Sequence, residues 1–312
     1  MKLELSKKEL QILHELETNA RQSMASIAKK ARMSKERVSY AIAKLEKKGA
    51  IKGYYTLVDR AALGMGCYRV YIKQKQLNPE IIEQFIKFAK ENPHVWAFGK
   101  TSGKFNFAMG VWARDNFEFE KILDKMLGRF EKDIGSLMTQ IMTEYSEYTR
   151  EYLTGKPKKA FHTLKKRKVA KFDDVDLRIL AIIMRNARIP TTEIAEKLGL
   201  TERIVRYRMK RMEREGIIVA YRCNMDYGLL GYEYYKVDLY LNSRKKLGEI
   251  KRYLYSLPET TYSEKTVYYS DVELDIEVKQ HEDMLKMIQR TNEKFPGAIK
   301  EFKYYTMLEF YK

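Results

Sequence analysis

The stretch from Leu10 to Gly64, LQILHELETNARQSMASIAKKARMSKERVSYAIAKLEKKGAIKGYYTLVDRAALG, lies without a gap over Leu177 to Gly231, LRILAIIMRNARIPTTEIAEKLGLTERIVRYRMKRMEREGIIVAYRCNMDYGLLG. The offset is 167 residues, and it carries Leu5–Ile72 onto Phe172–Leu239. Asn19-Ala20-Arg21 falls on Asn186-Ala187-Arg188, Ile27-Ala28 on Ile194-Ala195, Tyr40 on Tyr207, and Gly49-Ala50-Ile51 on Gly216-Ile217-Ile218. Self-similarity at one fixed offset over this length makes the chain a tandem duplication, of 1–150 and 172–312.

Within each copy the local signals are those of three short helices and a strand. Ser6 and Glu9 form a capping box ahead of Leu10, Leu13 and Leu16 at helical spacing, and Asp173 with Asp176 opens the equivalent helix. Ser23–Ala31 and Thr191–Leu198 read as second helices. Ser34 and Thr201 then cap third helices whose apolar faces are Val38, Ile42 and Leu45, or Val205, Met209 and Met212. Gly199 occupies the tight turn before Thr201, whereas Arg32 stands at that place in copy one. Two short helices across such a turn describe a helix-turn-helix whose second member enters the DNA major groove. Ala50–Val58 and Ile217–Met225 follow as strands, each expected to form a wing.

The outward residues of the third helices are then candidates for DNA contact: Ser34, Lys35, Glu36, Arg37, Ser39, Tyr40 and Lys44 in copy one, and Thr201, Glu202, Arg203, Arg206, Tyr207, Lys210 and Arg211 in copy two. Lys52 and Arg222 join them from the wings. Arg pairs bidentately with guanine and Lys reaches phosphate as a point charge, so these residue types on an exposed helix suit a duplex.

The remainder of each copy alternates differently. GCYRVYIK, VWAFGKT, FNFAMGVWA and SLMTQIMTEYSEYTRE read as strands around the helices NPEIIEQFIKFAKEN and NFEFEKILDKMLGRFE. Residues 233–312 repeat that order, with 261–269 as the second strand. The sequence βαββαβ is the ferredoxin-like arrangement, an antiparallel sheet with two helices on one face and an open face, read here as aromatic and apolar, that must pair with something. The fold class is α+β: winged helix-turn-helix domains at 1–60 and 172–230 alternate with ferredoxin-like domains at 66–150 and 233–312, joined by a linker at 151–171.

The chain has 312 residues and a net charge of +18. Segment by segment, 1–60 and 151–171 each carry +7, whereas 233–312 is neutral. A localised basic excess points to a polyanionic partner, with double-stranded DNA first. Residues 151–171 contain Lys165-Lys166-Arg167-Lys168 and read as a solvated basic linker. Cys67 and Cys223 have no metal-ligand or disulfide spacing. No stretch approaches the roughly 18 apolar residues of a membrane span, so a cytoplasmic protein without membrane association is expected. Gly-rich phosphate loops, metalloprotease motifs and nucleophile elbows are missing from the sequence, which implies no cofactor, no metal and no enzymatic activity.

Leu10-x-Ile12-Leu13, Asn19-Ala20-Arg21, the Ser34-capped helix and Leu45-Glu46-x-x-Gly49-x-Ile51-x-Gly53-Tyr54, repeated in copy two, resemble the Lrp/AsnC (feast/famine) transcriptional regulators. The resemblance implies a regulatory ferredoxin-like domain that pairs face to face with another, and small effectors, often amino acids, bound near interfaces. The family's glycine-aspartate-x-aspartate loop falls on Gly103, Lys104 and Asn106 here, and on Ser270, Asp271 and Glu273 in copy two. Because Lys104 and Asn106 replace both acids, an ammonium-bearing effector lacks its counter-charges in copy one. With two copies per chain, the regulatory domains are expected to pair within one chain as a pseudo-dimer, an oligomer of chains being the alternative. Two other functions fit parts of the sequence. Siroheme decarboxylases resemble the same two-domain plan and use basic residues near the wing, but His14, His94, His162 and His281 all lie outside that region, leaving Tyr221 and Arg222. An architectural protein that coats DNA with little specificity is the other.

Overall fold

The computed structural model describes residues 2–76, 78–267 and 269–311, so Tyr268, in the expected strand at 261–269, lies outside the described residues. Copy one runs α1 (Lys7–Thr18), α2 (Met24–Ala31), α3 (Lys35–Lys47), β1 (Ile51–Val58), β2 (Gly66–Gln74), α4 (Pro79–Glu91), β3 (Val95–Ser102), β4 (Phe107–Ala113), α5 (Asn116–Phe130) and β5 (Ile134–Tyr148). A short strand, β6 (Ala160–Leu164), follows it. Copy two runs α6 (Asp174–Ile183), α7 (Thr191–Leu198), α8 (Glu202–Arg214), β7 (Ile218–Met225), β8 (Glu233–Leu241), α9 (Leu247–Ser256), β9 (Thr260–Thr266), β10 (Val272–Val278), α10 (His281–Lys294) and β11 (Ile299–Phe310).

These elements do not sort by copy. One compact unit, the head unit, gathers Met1–Leu63, Ser146–Thr163 and Lys168–Tyr232; the other, the barrel unit, gathers Gly64–Tyr145, Leu164–Arg167 and Glu233–Lys312.

In the head unit both capping boxes form, and Ser34 and Thr201 accept from the backbone N–H of Arg37 and Ile204. The expected wings form differently. β1 pairs antiparallel with β7, so each strand completes the other copy's head rather than a wing of its own. The physical reason is in the cores: Cys223 and Met225 of β7 pack among Ile12, Leu16, Val38 and Leu45, and Val58 of β1 packs among Ile183, Ile194 and Val205. An isolated strand would leave its backbone N–H and C=O groups unpaired, and the exchange satisfies both strands at once. The basic linker is also more ordered than its composition suggests. β6 extends the sheet beside β5, and Leu153, Phe161 and Leu164 are buried.

In the barrel unit, each copy contributes four adjacent antiparallel strands, β5-β2-β4-β3 and β11-β8-β10-β9, the ferredoxin-like order. β3 pairs with β11 and β9 with β5, so the eight strands close into a ring within one chain. Closure gives each of these eight strands a neighbour on both sides. Outer faces are covered by helices: Val70, Ile72, Phe107 and Met109 pack with Phe85, Met126 and Phe130, and Val237, Leu239, Leu274 and Ile276 pack with Ile250, Leu254, Met284 and Met287.

The inner face corrects the expectation of an apolar surface. Alternate residues of β8, Tyr234, Lys236 and Asp238, point away from the helices, as do Arg69 of β2 and Glu273 and Asp275 of β10, and all are buried. Arg69 forms a two-pronged ion pair with Glu264, while Lys236 reaches Glu264 and Asp275, each at 2.8 Å. Buried charges persist because they are paired in this way. Not every group is matched: Asp238 lies beside Glu273 in the ladder, and one oxygen of each lacks a protein partner. Burial first, helped by Glu273 and Glu264 against Lys236 and Arg69, pushes the Asp238 carboxyl up to about 7.

Candidate nucleic-acid interface

The turns that separate α2 from α3 and α7 from α8 are each three residues long and pivot on a left-handed residue. Gly199 supplies it with φ 65°, and Arg32 adopts φ 52° and ψ 56° in its stead. The turn aims the helix that follows. α3 buries Val38, Ala41, Ile42 and Leu45 and leaves Lys35, Glu36, Arg37, Ser39 and Tyr40 exposed; α8 buries Val205, Met209 and Met212 and leaves Arg203, Arg206, Tyr207 and Lys210 exposed. Met24, Lys35, Glu36, Ser39 and Tyr40 line a shallow open hollow on the first head.

Several candidates are already engaged. Lys44 meets Glu9 at 2.9 Å, Lys52 meets Asp226 at 2.8 Å, and Arg206 pairs with Glu202, which also accepts from Thr191. These exposed pairs are worth about 0–1 kcal/mol and exchange readily for phosphate. Arg211 is different: it turns inward to Asp176, a fully buried carboxylate shared with Arg208, so it braces α8 against α6.

Arg222 is the clear correction. It is 0% exposed and cannot contact DNA. Its guanidinium meets Glu17 at 2.6 Å, Glu147 at 2.8 Å and the Tyr148 carbonyl at 3.1 Å, while Arg150 shares Glu17 at 2.7 Å and Tyr55 donates to Glu147 at 2.9 Å. Strand alternation misleads here because the face of β7 that would be open on a free wing is covered by Phe161 of β6 and by Glu17 at the end of α1.

Sequence reasoning also passed over the residues that fix one head against the other. Arg21 donates to the carbonyls of Ala187 and Ile189 at 2.7 and 2.9 Å, and Arg188 donates to that of Ala20 at 2.8 Å. Each guanidinium also lies over a tyrosine of the opposite copy, Arg21 on Tyr221 at 5.4 Å and Arg188 on Tyr54 at 5.1 Å. The contacts are reciprocal. In the ladder Tyr55 faces Arg222, its own equivalent at the 167-residue offset, and the flanking pairs Tyr54–Cys223 and Thr56–Tyr221 are exchanged by that offset. The heads are therefore related by a local two-fold through Tyr55 and Arg222. The signal was present in the repeated Asn-Ala-Arg, which is a docking element rather than a mere marker of duplication.

The loops at the degenerate effector motif hold the fold. Gly103 takes φ 105°, Asn106 accepts from the Gln74 N–H at 2.8 Å, and Lys104 lies over Phe105. In copy two Ser270 donates to the Val272 carbonyl at 3.4 Å, Asp271 accepts from the Leu241 N–H at 2.9 Å, and Glu273 is buried inside the barrel, bonded to Thr266. The histidines are not gathered: His14 is buried in α1, His162 contacts Ser146 at 2.7 Å, His94 contacts the Trp112 carbonyl, and His281 packs on Tyr304. Among the described residues no group of three or more His, Cys, Asp or Glu could hold a metal ion, and no helix is long and apolar enough to cross a membrane.

A family model for winged helix-turn-helix DNA-binding domains matches the chain twice, over residues 5–52 and 172–219. Relatives include the HTH-type transcriptional regulator LrpA of Pyrococcus horikoshii, 47% identical over 60 residues that make up 19% of this chain and 43% of that protein. Ptr1 of Methanocaldococcus jannaschii is 38% identical over 88 residues, 25% of this chain and 60% of that regulator. The chain is a tandem repeat, each copy opening with a winged helix-turn-helix segment similar to those of Lrp-type regulators. It spans about half the length of the curated relatives it matches. Across its whole length the chain shares a fold with the siroheme decarboxylase NirDL, with a TM-score of 0.64 at 12% identity over 98% of this chain and 92% of that one.

Proposed function

We propose that this chain is a sequence-specific DNA-binding transcriptional regulator that presents α3 and α8 together to double-stranded DNA. The observation that carries the reading is the pair of exposed, cationic helix faces locked on one local two-fold by Arg21 and Arg188. Heads related in this way suit half-sites about one helical turn, or a multiple of it, apart. Their residues differ, so the operator is not a perfect palindrome. Ser34, Lys35, Glu36, Arg37, Ser39 and Tyr40 serve the first head, and Thr201, Glu202, Arg203, Arg206, Tyr207 and Lys210 the second, with Lys44 and Lys52 at phosphates. In the loops at the effector motif Asn106, Ser270, Asp271 and Glu273 all bond within the fold.

Fluorescence anisotropy on own-promoter duplex across a salt series tests the proposal. Affinity falls steeply with salt, as counterion release requires, and Arg203→Ala costs about 1–3 kcal/mol on the specific site with a smaller loss on competitor DNA. No binding at roughly 50–100 mM salt overturns it. A specificity ratio near one selects the architectural reading instead.

A decarboxylase of a carboxylated tetrapyrrole is the second reading, favoured by the whole-chain likeness of fold to NirDL. Arg222, bonded on all sides, gives it little chemistry to work with. Anaerobic incubation with siroheme, followed by absorbance, decides it.

A further inference from the structure

The two recognition helices are far from copies of each other. Along their exposed faces the 167-residue offset pairs Lys35 with Glu202, Glu36 with Arg203, Arg37 with Ile204, Ser39 with Arg206 and Ala43 with Lys210. Each of these pairs changes charge or polarity. From Lys35 to Ala43 and from Glu202 to Lys210, Tyr40 and Tyr207 alone among the exposed residues keep their identity; Glu46 and Glu213 do so in the last turns. They are also the most exposed of the large hydrophobic side chains described in the head unit, at 73% and 60%.

One exposed tyrosine needs no explanation. Two at equivalent places, on helices whose other exposed positions from Lys35 to Ala43 and Glu202 to Lys210 have diverged, are not accounted for by packing, since the cores of both heads are complete without them. Each ring sits in the second turn from a capped N-terminus, the part of such a helix that lies deepest in the major groove. Around it cations outnumber acids, Lys35 and Arg37 against Glu36 in the first head and Arg203 and Arg206 against Glu202 in the second, so the occupant of these faces is a polyanion rather than an apolar partner. The one apolar feature that the major groove presents is the C5-methyl of thymine.

We propose that Tyr40 and Tyr207 each pack against a thymine methyl at the equivalent step of the two half-sites, giving half-sites that share a thymine and differ around it. Ile204 lies one turn before Tyr207 and is 41% exposed, which enlarges the apolar surface of the second head only; Arg37 takes that place in the first and suits guanine. The chain therefore binds its site in one orientation. This inference rests on the DNA-reading function above.

Selection of bound duplexes from a random-sequence pool, with the full chain and with Tyr40→Ala, Tyr207→Ala and both tyrosine→Phe variants, tests it. The unaltered chain enriches two unequal half-sites with one thymine in common. Tyr40→Ala loses the thymine preference in one half and Tyr207→Ala in the other, while the Phe variants keep it. Replacing that thymine by deoxyuridine, which removes only the methyl, weakens binding about threefold to fivefold, the value of one buried methyl group, and leaves the matching Ala variant unaffected. Half-sites without a shared thymine, indifference to deoxyuridine, or equal losses by the Ala variants on every sequence overturn the assignment while leaving DNA binding intact. Retention of no duplex by the unaltered chain overturns the DNA-reading function itself, and the assignment with it.

Discussion

Copy one and copy two build matching backbones, but they place different side chains where the halves meet. On the two-fold of the head unit, Tyr55 stands in one copy and Arg222 in the other. In the barrel, Arg69 and Lys236 occupy equivalent places, whereas the buried carboxylates Asp238, Glu264, Glu273 and Asp275 come from copy two. Tyr71 stands where copy two has Asp238, and Gly110 faces Arg69 in the ladder where Asp275 faces Lys236. In a symmetric homodimer a residue on the two-fold meets itself, so a buried arginine there would face another. Two copies in one chain remove that constraint. The interior then carries opposite charges across the meeting surface, as in the pair of Arg69 with Glu264.

The largest way to break this asymmetry is Arg222→Met. It leaves Glu147 buried beside Tyr55 with its ion pair gone and Glu17 with Arg150 alone, and it lowers stability by about 3–5 kcal/mol in chemical denaturation, because an uncompensated buried charge costs more than the pair contributes. Tyr55→Phe, at the equivalent position in copy one, removes one hydrogen bond to a carboxylate and costs about 1.5–3 kcal/mol. Equal losses from the two would show that the sites are alike after all.

The barrel comparison sharpens through pH. Folded Asp238 holds its proton up to about 7, against an ordinary 3.8. The folded chain thus binds the extra proton between those values, and the stability it confers is complete below 3.8 and lost as pH rises through 7. Glu273 is raised as well and acts in the same direction; Glu264, held down to about 2 chiefly by Arg69 and Lys236 against its burial, acts in the opposite sense and only at lower pH. Melting between pH 5 and 8 shows stability falling by up to about 1.4 kcal/mol per pH unit. Asp238→Asn flattens that slope; an unchanged slope would place the proton elsewhere.

The smallest effect lies in the turns. Arg32 holds a left-handed conformation that Gly199 adopts without strain. Arg32→Gly raises stability by about 0.5–1 kcal/mol, and Gly199→Ala lowers it by a similar amount. Thermal denaturation of both variants makes the two heads alike or more different.

Much of this was legible in the residues. Ser6, Ser34 and Thr201 cap helices through their own side chains, so local chemistry announces them, and the fixed offset shows the duplication without reference to any element. The strands of the ferredoxin-like domains were legible as well, but their interior was misjudged: the aromatic residues of β8 hid Lys236 and Asp238 among them. On the heads, the inward turn of Arg211 and the burial of Arg222 depend on Asp176, Glu17 and Glu147, which lie about 35 to 205 residues away along the chain.

The sequence by itself determined the helices, the strands, their order and their repetition, because caps, turns and hydrophobic periods act over a few residues. Only the tertiary structure decided that β1 pairs with β7, that β3 pairs with β11, and that the repeated Arg21 and Arg188 clamp one head to the other. A strand's alternation states which face is buried but not what buries it. Partners far apart along the chain are selected by closing sheet edges and pairing buried charges, and those requirements exist only once the whole chain has come together.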